Sequence, residues 1–178
     1  MPDTASPSPS TAPSPSPSAA DVGAQWSAHN PDLDTSPMEL VGLLKHATGV
    51  LNRAVEPLYA GAALTAPEVD MLIPLRHATS PFIARSLAER LGLSRAGVSK
   101  TLGKLETRGF IARTPNPADR RAALVTITEA GAEAVDDLFP RQLAIEIGLL
   151  AGLGADREQV TKALRRLVEA MESHVGHP

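Results

Sequence analysis

Nine basic side chains crowd into residues 85–121: Arg85, Arg90, Arg95, Lys100, Lys104, Arg108, Arg113, Arg120 and Arg121. Three acids accompany them, so this stretch holds +6 while the 178-residue chain holds −3. Guanidinium and ammonium groups at this density suit one kind of chemistry. They neutralise phosphates and release counterions, and a well-aimed Arg or Lys bonds O6 and N7 of guanine. The flanks are acidic. Residues 1–36 contain Asp3, Asp21, Asp32 and Asp34 with no Lys or Arg, and residues 122–178 contain nine acids against five bases. A pI of about 5.9 therefore conceals a local footprint for a polyanion such as DNA.

Other chemistries lack their residues. The chain has no cysteine, which removes disulfides, thiolate nucleophiles, Cys-ligated zinc and iron–sulfur clusters. Of the five histidines, His29, His174 and His177 fall in the tail or at the extreme C-terminus, and His46 and His77 stand alone. No Ser-His-Asp spacing, HExxH or phosphate loop is present, and no length remains for a cofactor-binding domain, so neither an enzyme nor a cofactor or metal is expected. Apolar residues make up 43% and aromatics 3%, which predicts an aliphatic core. No uninterrupted apolar run of spanning length occurs, and the N-terminus lacks a basic start with an apolar stretch behind it. The expected location is the cytoplasm.

The basic block must be positioned by helices and turns. Residues 83–91, IARSLAERL, read as a short helix with Ile83, Leu87 and Leu91 inward, stopped by Gly92. Ser94 then caps a second helix, SRAGVSKTLGKLETRG, whose inward face is Val98, Leu102 and Leu105 and which Gly109 ends. Two helices joined by Gly92, Leu93 and Ser94 have helix-turn-helix spacing. Phe110 and Ile111 open a short strand, Pro115 to Pro117 turn the chain, and Leu124, Val125 and Ile127 form the return strand. A hairpin directly behind a recognition-type helix is a wing.

Around this centre the sequence predicts further helices. Ser36 and Pro37 begin one in which Leu40, Leu43, Leu44, Val50, Leu51 and Leu58 recur at helix spacing and which stops between Pro57 and Gly61. Thr65 and Glu68 form a capping box for the next, which passes Pro74, a kink point, to about His77. Thr128 caps a long helix through Leu138, Leu143 and Ile147 to about Leu153, with a kink expected at Pro140. Asp156 caps the last, with Val160, Leu164, Leu167, Val168 and Met171 on one face. Residues 1–36 read as a disordered Ser/Pro tail, ordered no earlier than about residue 30, because eight of the 16 prolines lie at or before Pro37. The expected division is this tail, then a winged helix-turn-helix domain over 37–178. Its DNA-binding lobe covers about 62–127, and its dimerisation helices about 37–60 and 128–175. The fold class is mainly α with a small β-hairpin wing.

The outward residues of the second helix-turn-helix element are Ser94, Arg95, Ser99, Lys100, Lys104 and Arg108. A helix fits the major groove and its first turns reach base edges. Arg95, Ser99 and Lys100 are thus expected to read bases, with Lys104 and Arg108 meeting phosphates further along. Gly97 and Gly103 cost this helix about 1 kcal/mol each. Arg113 adds a cation on the hairpin. At its tip, Arg120 or Arg121 is expected to enter the narrow minor groove, with Asp119 orienting the guanidinium through a paired contact.

These segments resemble the MarR family of winged helix-turn-helix regulators. The resemblance covers residues 37–174 and is carried by SLAERLGLSRAGVSKTLGKLETRGFIAR and by the wing TPNPADRRAALVTITEAG, whose D-R-R followed by T-x-x-G is specific. It implies a homodimer joined by its N- and C-terminal helices, palindromic operator DNA, and release by a small anionic or aromatic ligand, most simply as a repressor. TAPEVDML is also similar to the W-E-x-D-V-L helix of the urate-responsive subgroup. Glu68 and Asp70 match, whereas Pro67 replaces the Trp and Thr101 stands at the subgroup's ligand-linked Arg, which argues against urate. The groups placed to line a pocket between the dimer helices and the DNA-binding lobe are His46, Arg53, Asp70, Arg76 and His77. A ligand-insensitive architectural or activating DNA-binding protein is the alternative, distinguished by whether a ligand weakens operator binding.

Overall fold

The computed structural model describes residues 17–175. The chain divides into two units, residues up to Val50 and residues from Leu51 onward. The helices are α1 (Ala19–His29), α2 (Pro37–Tyr59), α3 (Ala66–Arg76), α4 (Ala84–Leu91), α5 (Arg95–Thr107), α6 (Glu129–Leu150) and α7 (Arg157–Val175). Helix α2 runs across the division between the units. The strands are β1 (Phe82–Ile83), β2 (Ile111–Pro115) and β3 (Ala123–Ile127), in the antiparallel order β1-β3-β2.

In the first unit, α1 occupies residues that the Ser/Pro pattern assigns to a disordered tail. The reason is local. Ser18 Oγ accepts the Asp21 N–H at 3.1 Å and Asp21 Oδ2 accepts the Ser18 N–H at 2.9 Å, a reciprocal cap that satisfies two orphan donors. The helix also packs closely: a Cβ on Gly42 would collide with that of Ala19. The Ser/Pro alternation up to Ser16 lies outside the described residues.

The second unit has one core. Leu72 of α3, Leu87 of α4, Val98, Leu102 and Leu105 of α5, Val125 of β3, and Val135 and Leu138 of α6 are buried together. The inward face of the sequence-predicted recognition helix is thus the inward face of α5. Gly92 takes φ 63° at the end of α4 and Gly109 takes φ 79° behind α5, the left-handed geometry that stops helices. Strand β1 was not legible. It is two residues long, with Phe82 opposite Val125 and Ile83 opposite Leu124, and it turns the hairpin into a three-stranded sheet. Helix α6 starts tightly against the wing: Thr128 Oγ1 donates to the Gly109 carbonyl at 2.7 Å, and a Cβ on Gly131 would collide with the Phe110 carbonyl.

Beyond α6, a 3-10 segment (Ala151–Asp156) carries the chain to α7, with Gly154 at φ 49°. Helix α6 therefore ends three residues before the predicted Leu153. Leu143, Ile147 and Leu150 of α6 and Val160, Leu164, Val168 and Met171 of α7 are exposed. Among the described residues, the stretch Glu129–Val175 is long and apolar enough to cross a membrane by length and composition, with a mean hydropathy of 1.2 over its best window.

Candidate nucleic-acid interface

Helix α5 is fixed at its start by Ser94, whose Oγ accepts the Gly97 N–H at 3.1 Å. Val98, Leu102 and Leu105 bury one side, and the 3.6-residue period then leaves Arg95, Ser99, Lys100 and Lys104 exposed on the other. Gly103 opens on empty space, and nothing lies within 4 Å of a Cβ placed there. The result is a helix whose N-terminal turns present a hydroxyl and two cations outward over a solid aliphatic base.

The wing follows five residues of paired strand on each side, from Ile111 opposite Ile127 to Pro115 opposite Ala123. Two side-chain turns shape its tip. Asn116 Oδ1 accepts the Ala118 N–H at 3.0 Å, and Asp119 Oδ1 accepts the Arg121 N–H at 2.9 Å. Asp119 thus orders the backbone of the tip rather than gripping a guanidinium. Arg120 and Arg121 are exposed there.

Two of the expected DNA-facing arginines are engaged by partners within the protein, Arg108 with a partly exposed side chain and Arg113 with a less exposed one. Arg108 Nη1 donates to Glu68 Oε1 at 2.7 Å, its Nη2 donates to the Ala63 carbonyl, and its guanidinium lies 5.0 Å from the centre of the Phe110 ring. Glu68 is buried and its other oxygen accepts the Thr65 N–H at 2.9 Å. Burial alone pushes the Glu68 carboxyl up, but the Thr65 backbone bond and Arg108 outweigh it and hold the carboxyl below its ordinary 4.5. Arg113, in the middle of β2, sits with Nε 3.3 Å from Glu106 Oε2 of α5. The sequence places Glu68 in a capping box and in a family-like helix motif, without an ion-pair partner. Its second partner is 40 residues away, and no local signal announces it.

Of the residues expected to line a ligand pocket, Asp70 has the most developed surroundings. It borders a groove of about 840 Å³ walled by Pro74 of α3, by His77 just beyond its end, and by Arg90 and Leu93 of the helix-turn-helix. It also borders a cavity of about 330 Å³ walled by Leu51, Val55, Gln142, Glu146 and Leu150. Burial pushes the Asp70 carboxyl up; a hydrogen bond with Gln142 opposes this and the charge of Glu146 adds to it. Gln142 is buried, accepts the Tyr59 hydroxyl and donates to Glu146 at 2.7 Å. Burial, then the charges of Asp70 and Glu146, push the Tyr59 hydroxyl up to about 12. Arg53 borders an adjoining cavity with Tyr59. His46 is exposed on the part of α2 that belongs to the first unit. Arg76 is committed to a two-bond pair with Asp136, at 2.7 and 2.6 Å, which ties α3 to α6. Gln142 is the residue sequence reading missed. A polar side chain in register with Val135 and Leu138 was the available signal.

Residues 64–122, which hold α3, the helix-turn-helix and most of the wing, match the MarR family model. The transcriptional regulator PecS of Dickeya dadantii is 26% identical over 158 residues, covering 88% of this chain and 93% of PecS. The ligand-bound crystal structure of the PcaV transcriptional regulator of Streptomyces coelicolor superposes with a TM-score of 0.65 at 27% identity, covering 79% of this chain and 97% of PcaV. The chain is similar to MarR-family regulators, through the family model over residues 64–122 and through these relatives along most of its length. It is a winged-helix transcriptional regulator, and its relatives are regulators rather than enzymes. A MepR–DNA complex of Staphylococcus aureus, 19% identical with a TM-score of 0.67 over 72% of this chain and 95% of MepR, has the same fold.

Proposed function

We propose that this chain is a cytoplasmic MarR-family repressor that binds a palindromic operator as a homodimer and is released by a small-molecule effector. The observation that carries the reading is the joint presentation of α5 and the wing. Arg95, Ser99 and Lys100 project from the first turns of α5 to read bases in the major groove, and Lys104 meets phosphate. Arg120 and Arg121 reach the flanking minor groove from a tip that Asp119 and Asn116 hold in shape. The exposed aliphatic faces of α6 and α7 are the dimer surface, which accounts for apolar character there without a membrane. The domain boundaries proposed are a Ser/Pro tail, a lobe over about 62–127 and dimerisation helices on either side.

The effector site is proposed around Asp70, with Arg53 and His77 on its margins. PcaV was solved with its natural ligand and CouR of Rhodococcus jostii with p-coumaroyl-CoA, which supports a small-molecule effector here. Helix α3 holds Asp70 and is tied to α5 through Glu68 and Arg108, so occupancy of the site has a route to the recognition helix. The test is to pass sheared genomic DNA over the purified protein and sequence what it retains. Fragments sharing one inverted repeat support the reading. Retention without a shared sequence contradicts it.

A further inference from the structure

Two charged contacts leave the end of α5 in different directions. Arg108, the cap of the helix, reaches back to Glu68 at the start of α3, while Glu106, two residues earlier, faces Arg113 of the wing. We propose that Arg108 and Arg113 are positioning residues that fix the recognition helix and the wing at one mutual angle, and that neither contacts DNA. This rests on the DNA-binding reading above and reassigns two of its cations.

The geometry of Arg108 leaves it little to offer a phosphate. Its side chain is 39% exposed, but each terminal nitrogen already donates one N–H to a protein acceptor and one face covers Phe110. Its acceptor Glu68 has a side chain 8% exposed, so releasing Arg108 would strand a buried carboxylate. Arg113 is placed still deeper, with a side chain 26% exposed. Its Nε and one terminal nitrogen are buried and form no hydrogen bond, so what holds it is the ion pair with Glu106. A guanidinium turned inward in mid-strand, opposite Val125, does not reach a phosphate without leaving Glu106 and its place in the sheet.

What these pairs do follows from how a winged helix reads DNA. The helix enters one groove while the wing tip enters the next, and both engage together only at one offset. The strand hydrogen bonds set the shape of the hairpin but not its pitch against α5. The Glu106–Arg113 pair supplies that restraint on one side of the helix, and the Glu68–Arg108 pair supplies it on the other.

The test uses reversal and rescue in the full-length protein, with operator and random-sequence duplexes titrated at several salt concentrations. Arg113→Glu and Glu106→Arg should each weaken operator binding about tenfold or more, and the combined swap should recover to within about threefold of wild type, as expected of two residues that act through each other. A DNA contact at Arg113 predicts the opposite, because the swap leaves a carboxylate facing phosphates. Arg108→Lys keeps the charge but loses the double donation and the stacking. It should lower the operator-to-random affinity ratio at an unchanged salt slope. A swap that binds no better than Arg113→Glu, or an Arg108→Lys protein that keeps the wild-type ratio, overturns the proposal. Wild type binding operator no better than random DNA instead overturns the DNA-recognition reading beneath it.

Discussion

Glu68 shows how one residue type serves two purposes. As the third residue of a capping box it satisfies the Thr65 N–H, and as a buried acid it holds Arg108. Removing one member of such a pair leaves the other desolvated, so Glu68→Gln should cost about 2 kcal/mol at neutral pH, reduced from a fully buried pair because Arg108 is partly exposed. The sign with pH is set by the depressed carboxyl. Its stabilisation is complete above 4.5 and fades as pH falls below it. Urea midpoints of wild type and Glu68→Gln should therefore differ at pH 7 and draw together as pH falls below 4.5, and a gap that stays constant would contradict the assignment. The local half of this residue was legible, since Thr65 and Glu68 have the capping spacing. The partner across the fold was not, because burial and tertiary contact select it. The same holds for Arg108 and Arg113, which a sequence presents only as more positive charge.

At the level of elements, what punctuates the chain was readable and what pairs across it was less so. Gly92, Ser94 and Gly109 mark the ends of α4 and α5 because each meets a backbone need that few other residues meet. Strand β1 escaped because two residues give no period, and α1 escaped because a proline-rich neighbourhood hid the Ser18–Asp21 cap. Helices α6 and α7 raise the opposite question, since their apolar faces are legible but uncovered. Leu164 and Val168 lie one turn apart on α7 and are 45% and 51% exposed. Changing both to Asp should shift the mass by light scattering from dimer to monomer at micromolar concentration, with helix content retained. A wild-type protein that is already monomeric, or a double variant that remains dimeric, counts against that surface.

Across the whole molecule, charge is segregated. An acidic chain holds one +6 block, and folding sorts that block further. Arg108 and Arg113 pair with Glu68 and Glu106, and Arg85 pairs with Glu89 at 2.8 Å on α4. Lys100 and Lys104 stay on the outer face of α5, with Arg120 and Arg121 at the wing tip. Net charge therefore overstates the contact surface, and the count of phosphate contacts should be smaller than the count of cations. The dependence of operator affinity on salt measures this most directly. The account predicts that replacing Lys104 with Ala flattens the log–log slope by about one unit, because one phosphate contact is lost. Arg95→Ala and Lys100→Ala should each cost about 1–3 kcal/mol on operator DNA and relax preference at one position per half-site. Arg120→Ala combined with Arg121→Ala should weaken binding most at A·T-rich flanks, where the minor groove is narrow. If all four proteins bind operator with wild-type affinity and wild-type salt slope, the basic block is a solvated surface and the winged helix does not read DNA through these residues.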